Sequence, residues 1–319
     1  MSLPNPSSSC AKAVMPLREG LRARIKALPK RRQMRQCAIP TLNKGNFYEI
    51  LGRARIMTIE LYNDGVHRCF SYEDIVGSRG VQSNQFLVID DGHAALIDPG
   101  GDLTYPDLYQ HLSQEITVKD LDYVIASHQD PDIVSSLSHW IAGTESKIVI
   151  PKVWERFIPH LCRSAKVREM EKRLVGIPDE GMALNLGNSV LVAIPAHYLH
   201  SEGNFQFFDP VSNILFSGDL GASFEDKQDL SDPVTDFAGH IPYMSDFHRR
   251  FMGSSKILRL WVNMVRELHP EWIVPQHGRS FKGQEVIDEF LEWLADLQCG
   301  IDLMTQDNYR LPKRPSEWA

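Results

Sequence analysis

Cysteine is scarce and scattered. Cys10, Cys37, Cys69, Cys162 and Cys299 are odd in number, and no two form a C-x-x-C pair. That excludes a zinc ribbon, a thioredoxin-like redox motif and a disulfide frame, and it points to a reducing cytoplasm. Long apolar runs are missing too: none approaches the roughly 20 residues of a membrane-spanning helix, so a soluble protein without a transmembrane segment is expected. Positive charge is in short supply, with 34 Lys and Arg against 41 Asp and Glu, a net of −7. Nine of the basic residues and a single acid, Glu19, fall in the first 40 positions, which leaves 25 basic and 40 acidic groups beyond them. A body this acidic excludes an enzyme that tracks nucleic-acid phosphates over its surface, so no nucleic-acid partner is expected. Internal repeats are absent.

What is present is enough apolar material for a large core: 43% of 319 residues. Residues 1–45 read as a basic extension, Ser- and Pro-rich and disordered at first, then partly helical over 17–28. Residues 46–300 read as one body and 301–319 as a C-terminal tail. Within the body, apolar runs bounded by Gly, Asn and Asp turns predict strands over 54–62, 68–72, 84–90, 94–98, 123–126, 147–150, 173–177, 189–193, 204–208, 213–217 and 272–275. Helical periodicity predicts helices over 105–115, 133–142, 246–268 and 283–297. Strand runs with helices at the end of each half predict an α/β (α+β) fold, two sheets face to face with helices outside: an αββα sandwich.

The stretch Ser127-His128-Gln129-Asp130-Pro131-Asp132-Ile133 follows an apolar strand and carries a possible metal donor at every second position. Pro131 biases Asp130 toward an extended conformation, and alternate residues of an extended chain project to one side. Asp132 also suits the N-cap of the following helix. Three more strand ends offer a donor beside Gly or Pro: Pro195-Ala196-His197-Tyr198-Leu199-His200-Ser201-Glu202-Gly203, Ser217-Gly218-Asp219, and Pro275-Gln276-His277-Gly278. Each alone reads equally as a hydrogen-bonded turn. Together they predict one polar centre at the strand ends, where function usually collects.

His128-x-Asp130-x-Asp132, His200-Ser201-x-Gly203, Ser217-Gly218-Asp219 and His277-Gly278, with Asp98-Pro99-Gly100 before them, resemble the ordered motifs of the metallo-β-lactamase fold superfamily. The resemblance covers about residues 50–295. It is strongest to the diiron branch, the flavodiiron proteins and their flavin-free oxygen-binding relatives. It implies that His128, Asp130 and His200 hold one metal, that Asp132 and His277 hold a second, and that Asp219 bridges them. It prefers His200 over His197 as ligand. Asp98, His197, Tyr198, Tyr243 and His248 are candidates for groups that orient a ligand or hydrogen-bond a bound molecule; packing is the alternative for each.

The zinc hydrolases of the superfamily generally carry histidine where this chain has Asp130 and Ile133. Three His and three Asp without Cys make a hard, anionic donor set, better suited to two iron ions, or manganese, than to zinc. Flavodiiron proteins also have histidine in place of Ile133, so the second ion is expected to keep open positions. The resemblance therefore implies a non-haem diiron protein that binds O2 or a related diatomic gas. It would act as an oxygen or redox sensor, with slow O2 or NO reduction where a partner supplies electrons. About 20 residues follow Leu297, too few for a flavodoxin domain, and no flavodoxin-like phosphate loop is found elsewhere, so no flavin is expected in this chain. The alternative is a binuclear metallohydrolase acting on an ester, thioester or phosphodiester. A signalling or electron-transfer protein is the expected partner, and a homodimer is left open.

Overall fold

The computed structural model describes residues 57–311 apart from 77–79, 162–163 and 226–230. The expected boundary near residue 45 and the helix over 17–28 lie outside the described residues. In chain order the first half contains β1 (Met57–Asn63), β2 (His67–Glu73), β3 (Gln85–Asp90), β4 (His93–Ile97), α1 (Tyr105–Glu115), β5 (Tyr123–Ile125), α2 (Pro131–Val134), α3 (Leu137–Gly143), β6 (Lys147–Pro151), α4 (Ser164–Arg173) and β7 (Leu174–Ile177). The second half contains β8 (Met182–Leu186), β9 (Ser189–Pro195), β10 (Phe205–Asp209), β11 (Ile214–Phe216), α5 (Phe237–Phe251), α6 (Ser255–Leu268), β12 (Trp272–Val274), β13 (Phe281–Lys282) and α7 (Gln284–Asp296).

Strands β1 to β7 form one sheet in sequential order, and β13-β12-β11-β10-β9-β8 form the other. Side chains alternate across each strand, and β3 shows the result. Phe86 and Val88 join the core between the sheets, with Ile97, Ile125, Leu191, Phe205, Phe207 and Phe216. Leu87 and Ile89 join a second core with Leu108 and Leu112 of α1 and Leu137 and Trp140 of α3. On the far side Leu215 and Ile273 pack with Met244, Leu258, Val262 and Leu291 of α5 to α7. Strands covered on both faces need continuous apolar runs, and β3 is buried at all six positions. This is the expected αββα sandwich.

The helices depart from expectation at two places, both beside the strand-end loops. The single helix expected over 133–142 is two short ones. Between them the Ser136 hydroxyl donates to the Gly100 carbonyl at 2.5 Å and the Pro99 carbonyl at 3.1 Å, tying the break to the loop after β4. The helix expected over 246–268 is α5 and α6, separated at Met252–Ser254, with Ser254 capping α6 through the Ile257 N–H. Gly253 is required at this corner: its N–H donates to the Tyr198 carbonyl at 2.9 Å, and a Cβ there would lie 3.0 Å from Tyr198 Cβ and O. The α5 region before residue 246, α4, β8 and β13 are additional to the expected elements; in α5, Gly239 and Pro242 interrupt the helical pattern. The start of the expected tail packs on the body, where Asp302 accepts the Ser255 N–H at 2.6 Å. Among the described residues no helix is long and apolar enough to cross a membrane.

Candidate metal centre

Strands β4, β5 and β6 run parallel in the first sheet, and β11 and β12 run parallel in the second. The carboxyl ends of β4, β5, β11 and β12, with the turn between β9 and β10, therefore gather Asp98, the 128–132 stretch, His200, Asp219 and His277. The chain is extended at Asp130 (φ −66°, ψ 147°), as the following proline dictates, and Asp130 rather than Asp132 occupies the N-cap position of α2. Asp132 sits in the first turn.

Asp219 lies at the middle of the group, and its two oxygens face different ways. Oδ2 is 3.0 Å from His200 Nε2 and 3.6 Å from His128 Nε2, whereas Oδ1 is 3.3 Å from His277 Nε2. Asp130 Oδ2 completes the first set at 3.2 Å from His200 Nε2 and 3.9 Å from His128 Nε2. Asp132 Oδ2 completes the second at 3.6 Å from His277 Nε2. One donor atom from each of His128, Asp130, His200 and Asp219 lies within 4.8 Å of the others.

Two of the imidazoles are held through Nδ1 so that Nε2 faces inward. His277 Nδ1 donates to the Gln82 carbonyl at 2.5 Å, and since a carbonyl only accepts, the tautomer is set. His128 Nδ1 is 3.0 Å from Ser127 Oγ, and Asp98 accepts the Ser127 N–H at 2.9 Å. Ser201 Oγ donates to Gln129 Oε1 at 2.5 Å and so joins the two donor-bearing loops. Ser127, Gln82 and Gln129 were not singled out from sequence. A Ser or Gln beside a ligand carries no signal of its own, and a backbone carbonyl carries none at all.

Charge in this group is settled by the histidines. Burial works to lower their pKa values, but the Asp219, Asp130 and Asp132 carboxylates outweigh it. His128 is raised, His200 is raised to about 10 and His277 to about 9. Burial raises Asp132, while the surrounding imidazoles overcome burial at Asp130 and Asp219 and lower both. Asp98 is pushed up to about 6 by burial. Mutual repulsion of the carboxylates, which would favour protonation, is thus outweighed at Asp130 and Asp219 and not at Asp132.

The remaining candidates sort cleanly. Asp98 reaches His128 through Ser127 by hydrogen bonds and directly by charge. His248 is fully buried: its Nδ1 donates to the Met244 carbonyl at 2.9 Å, and its Nε2 accepts the Gly221 N–H at 3.0 Å, two residues after Asp219. His197 Nε2 donates to the Asp179 carbonyl at 2.8 Å and its ring packs edge-on to Phe205, a packing role. Tyr198 and Tyr243 are exposed and do not line the cavity over the centre. Ile133 is fully buried in the core with α3. Its side chain leaves the second donor set and packs downward.

The centre opens into a cavity of about 940 Å³ lined by Asp130, Asp132, His200, Asp219 and His277 on its floor, with Phe224, Phe247 and Phe251 among its walls. His200 lies 5.7 Å from the Phe251 ring and His277 lies 5.7 Å from Phe224. Phe247 and Phe251 are one turn apart on α5 and stack at 4.8 Å. Both line the cavity.

The donor set fits cations. His128 Nε2 and Asp219 Oδ1 are buried without a hydrogen-bond partner. Each orphan of this kind costs about 1–3 kcal/mol, which coordination to an ion removes. Three imidazoles and three carboxylates divided by one two-faced carboxylate match a pair of hard to borderline ions.

The family model described as ODP family beta lactamase matches residues 81–278. Among solved structures, the chain is similar to one titled apo state of chemotaxis sensor ODP from T. denticola, at 38% identity over 80% of this chain and 99% of that one, TM-score 0.71. It is similar as well to one titled peroxy diiron species of chemotaxis sensor ODP, at 38% identity over 79% and 99%, TM-score 0.68. A flavo di-iron protein from Thermotoga maritima, at 18% identity over 76% of this chain and 60% of that one, TM-score 0.61, shares the fold. The chain spans about half the length of the curated relatives it matches, 53% and 55% for the first two.

Proposed function

This chain belongs to the ODP family beta lactamases, and from that premise we propose that it is a non-haem diiron protein that binds O2 and acts as an oxygen sensor. The observation that carries the proposal is Asp219, whose two oxygens face two separate imidazole and carboxylate sets. On this reading His128, Asp130 and His200 hold one iron, Asp132 and His277 hold the other, and Asp219 joins them. The two relatives titled as a chemotaxis sensor, one of them as a peroxy diiron species, support the same reading.

When bound, two irons supply a redox couple and open coordination positions for a diatomic gas. The protein's part is to orient and to exclude water. Ser127 and the Gln82 carbonyl fix which nitrogen of His128 and His277 faces inward, as partners of metal-binding histidines generally do. Ile133, buried beneath, leaves the second iron with Asp132, Asp219 and His277 as its protein donors. Phe224, Phe247 and Phe251 make the cavity wall apolar, which favours a neutral gas over water and strengthens the carboxylate field. The cavity wall also carries Asp102, Asp246 and Arg250, but its surface is mostly apolar, which suits a neutral gas better than the ester or phosphodiester of the hydrolase alternative.

Sensing requires a signalling protein that tells the oxygenated chain from the oxygen-free one. Slow O2 or NO reduction would need a separate electron donor. The free, buried thiols of Cys69 and Cys299 are in keeping with a cytoplasmic setting. The deciding experiment is metal analysis with an optical spectrum taken anaerobically and after air exposure. About two iron per chain and new near-ultraviolet to visible absorption with O2 are expected; colourless protein holding two zinc ions would overturn the reading. Sedimentation at several concentrations tests for a homodimer.

A further inference from the structure

At the opposite end of the sandwich from the iron centre, both sheets contribute to a second buried cluster. Asp90 closes β3, His67 opens β2 and Cys69 follows two residues on, while Asp209 closes β10. His67, Cys69, Asp90 and Asp209 are at most 4% exposed. His67 Nδ1 is 2.9 Å from Asp90 Oδ1 and its Nε2 is 2.8 Å from Asp209 Oδ2. Cys69 Sγ lies 3.4 Å from Asp209 Oδ2, 3.6 Å from His67 Nε2 and 3.6 Å from Ser212 Oγ. Asp90 is fixed in turn by the Asn188 N–H at 2.6 Å.

We propose that His67 Nε2, Cys69 Sγ and Asp209 Oδ2 form a second metal site, a structural one with three protein donors for a single borderline divalent ion such as Zn²⁺, the Ser212 hydroxyl donating to Asp209 Oδ2. Tetrahedral zinc with Zn–N and Zn–O near 2.0 Å and Zn–S near 2.3 Å sets donor atoms about 3.5 Å apart along edges that include sulfur, and about 3.3 Å apart along the N···O edge. The sulfur edges here, 3.6 and 3.4 Å, already match. The N···O edge is closer because a proton now lies on it. Asp90, bound to Nδ1, is the carboxylate that orients a metal-binding histidine from behind. A thiolate in the set selects zinc over the hard ions that suit the iron centre, which has no cysteine.

Charge supports the exchange. Each His67 ring nitrogen faces a carboxylate oxygen, so both donate and the metal-free ring is an imidazolium between two carboxylates; burial works to lower its pKa, but Asp209 and Asp90 raise it. With the neutral thiol the cluster carries −1. Entry of one divalent ion expels the His67 Nε2 proton and the Cys69 proton, and the cluster, now a neutral imidazole, a thiolate, two carboxylates and the ion, again carries −1. The ion replaces two protons without adding net buried charge, and it ties β2 of one sheet to β10 of the other.

Cobalt is the probe, because only a site with a cysteine gives thiolate-to-cobalt charge transfer and the iron centre has none. The full iron-loaded chain is supplied with Co²⁺, during expression and again during refolding, so that burial of the site does not bar entry. One cobalt per chain beyond the irons and a thiolate charge-transfer band are expected, with Zn²⁺ displacing both. Cys69→Ser and Asp209→Asn should lose the band and weaken the extra ion at least tenfold, while Cys299→Ser keeps both. No thiolate band from wild-type protein, or a band that survives in Cys69→Ser, overturns the proposal and leaves the cluster as a protonated hydrogen-bonded clamp. Absence of the band from wild-type protein decides even where a variant does not fold, and Asp209→Asn assigns a band that is present where Cys69→Ser does not fold.

Discussion

Asp219 and His248 show what single side chains do here. Asp219→Ala removes the one group that faces both donor sets, so the iron content should fall from about two to below one per chain by metal analysis, with far-ultraviolet circular dichroism retained. His248 acts at one remove, holding the Gly221 N–H behind the Asp219 turn. Burial lowers its pKa to about 4, with the Asp219 carboxylate raising it and His240 lowering it. The unfolded chain, with a histidine pKa near 6.5, therefore takes up the proton first as pH falls. The stability that neutral His248 confers is complete above pH 6.5 and lost as pH drops toward 4, by up to about 3 kcal/mol. Denaturant unfolding of wild type and His248→Gln between pH 7 and 4.5 should show the wild type losing more stability on acidification. Parallel pH profiles would refute the role.

At the scale of elements, the strand-end loops are set by short-range constraints that tolerate little change. Gly278, next to His277, has φ +78°, and a Cβ there would overlap Ser223 Oγ and lie 2.5 Å from the Ser223 carbonyl. Gly278→Ala should cost about 2–4 kcal/mol. Calorimetry should record that as a Tm roughly 5–12 °C lower. The first turn of α2 matters in the same way: Asp132 meets His277 while Ile133, about 100° further round the helix, enters the core. Replacing Ile133 by His would bury an imidazole among Val124, Leu137 and Trp140. The metal-free variant should lose about 1–3 kcal/mol in denaturant unfolding, the cost of a buried polar group without a partner.

For the whole molecule, the centre lies where the two sheets meet, and its donors come from both. Asp130 and Asp132 follow β5, while His200, Asp219 and His277 follow strands of the other sheet. Ions bound there tie the halves together, so chelation should lower Tm as well as bleach the protein. At free iron a thousandfold above the dissociation constant, linkage gives about 4 kcal/mol. Calorimetry of the iron-loaded and chelated forms should differ by roughly 8–16 °C. Equal melting curves would mean that the ions bind elsewhere or not at all. The cavity of about 940 Å³ is far larger than a diatomic gas requires, and its aromatic wall comes from α5 and the loop that leads into it from β11.

The sequence by itself determined the layers and the donors. Continuous apolar runs require strands covered on both faces, and His or Asp beside Gly or Pro at strand ends marks where such loops turn, so the sandwich and the residues from His128 to His277 were legible locally. The division of those donors into two sets with Asp219 between them was implied by the family resemblance, and the tertiary structure adds the geometry: the two oxygens of Asp219 face different histidines. The order of residues does not itself give that geometry. Nor does it say that Ile133 turns into the core, that Tyr198 and Tyr243 face solvent, or that a carbonyl at Gln82 orients His277. The cluster of His67, Cys69, Asp90 and Asp209 was invisible for the same reason: its members are up to 142 positions apart and meet only because antiparallel pairing of β2 with β3 and the stacking of two sheets bring their ends together. Local patterns encode which residues face inward; distances between chain-remote atoms exist only once both sheets have packed.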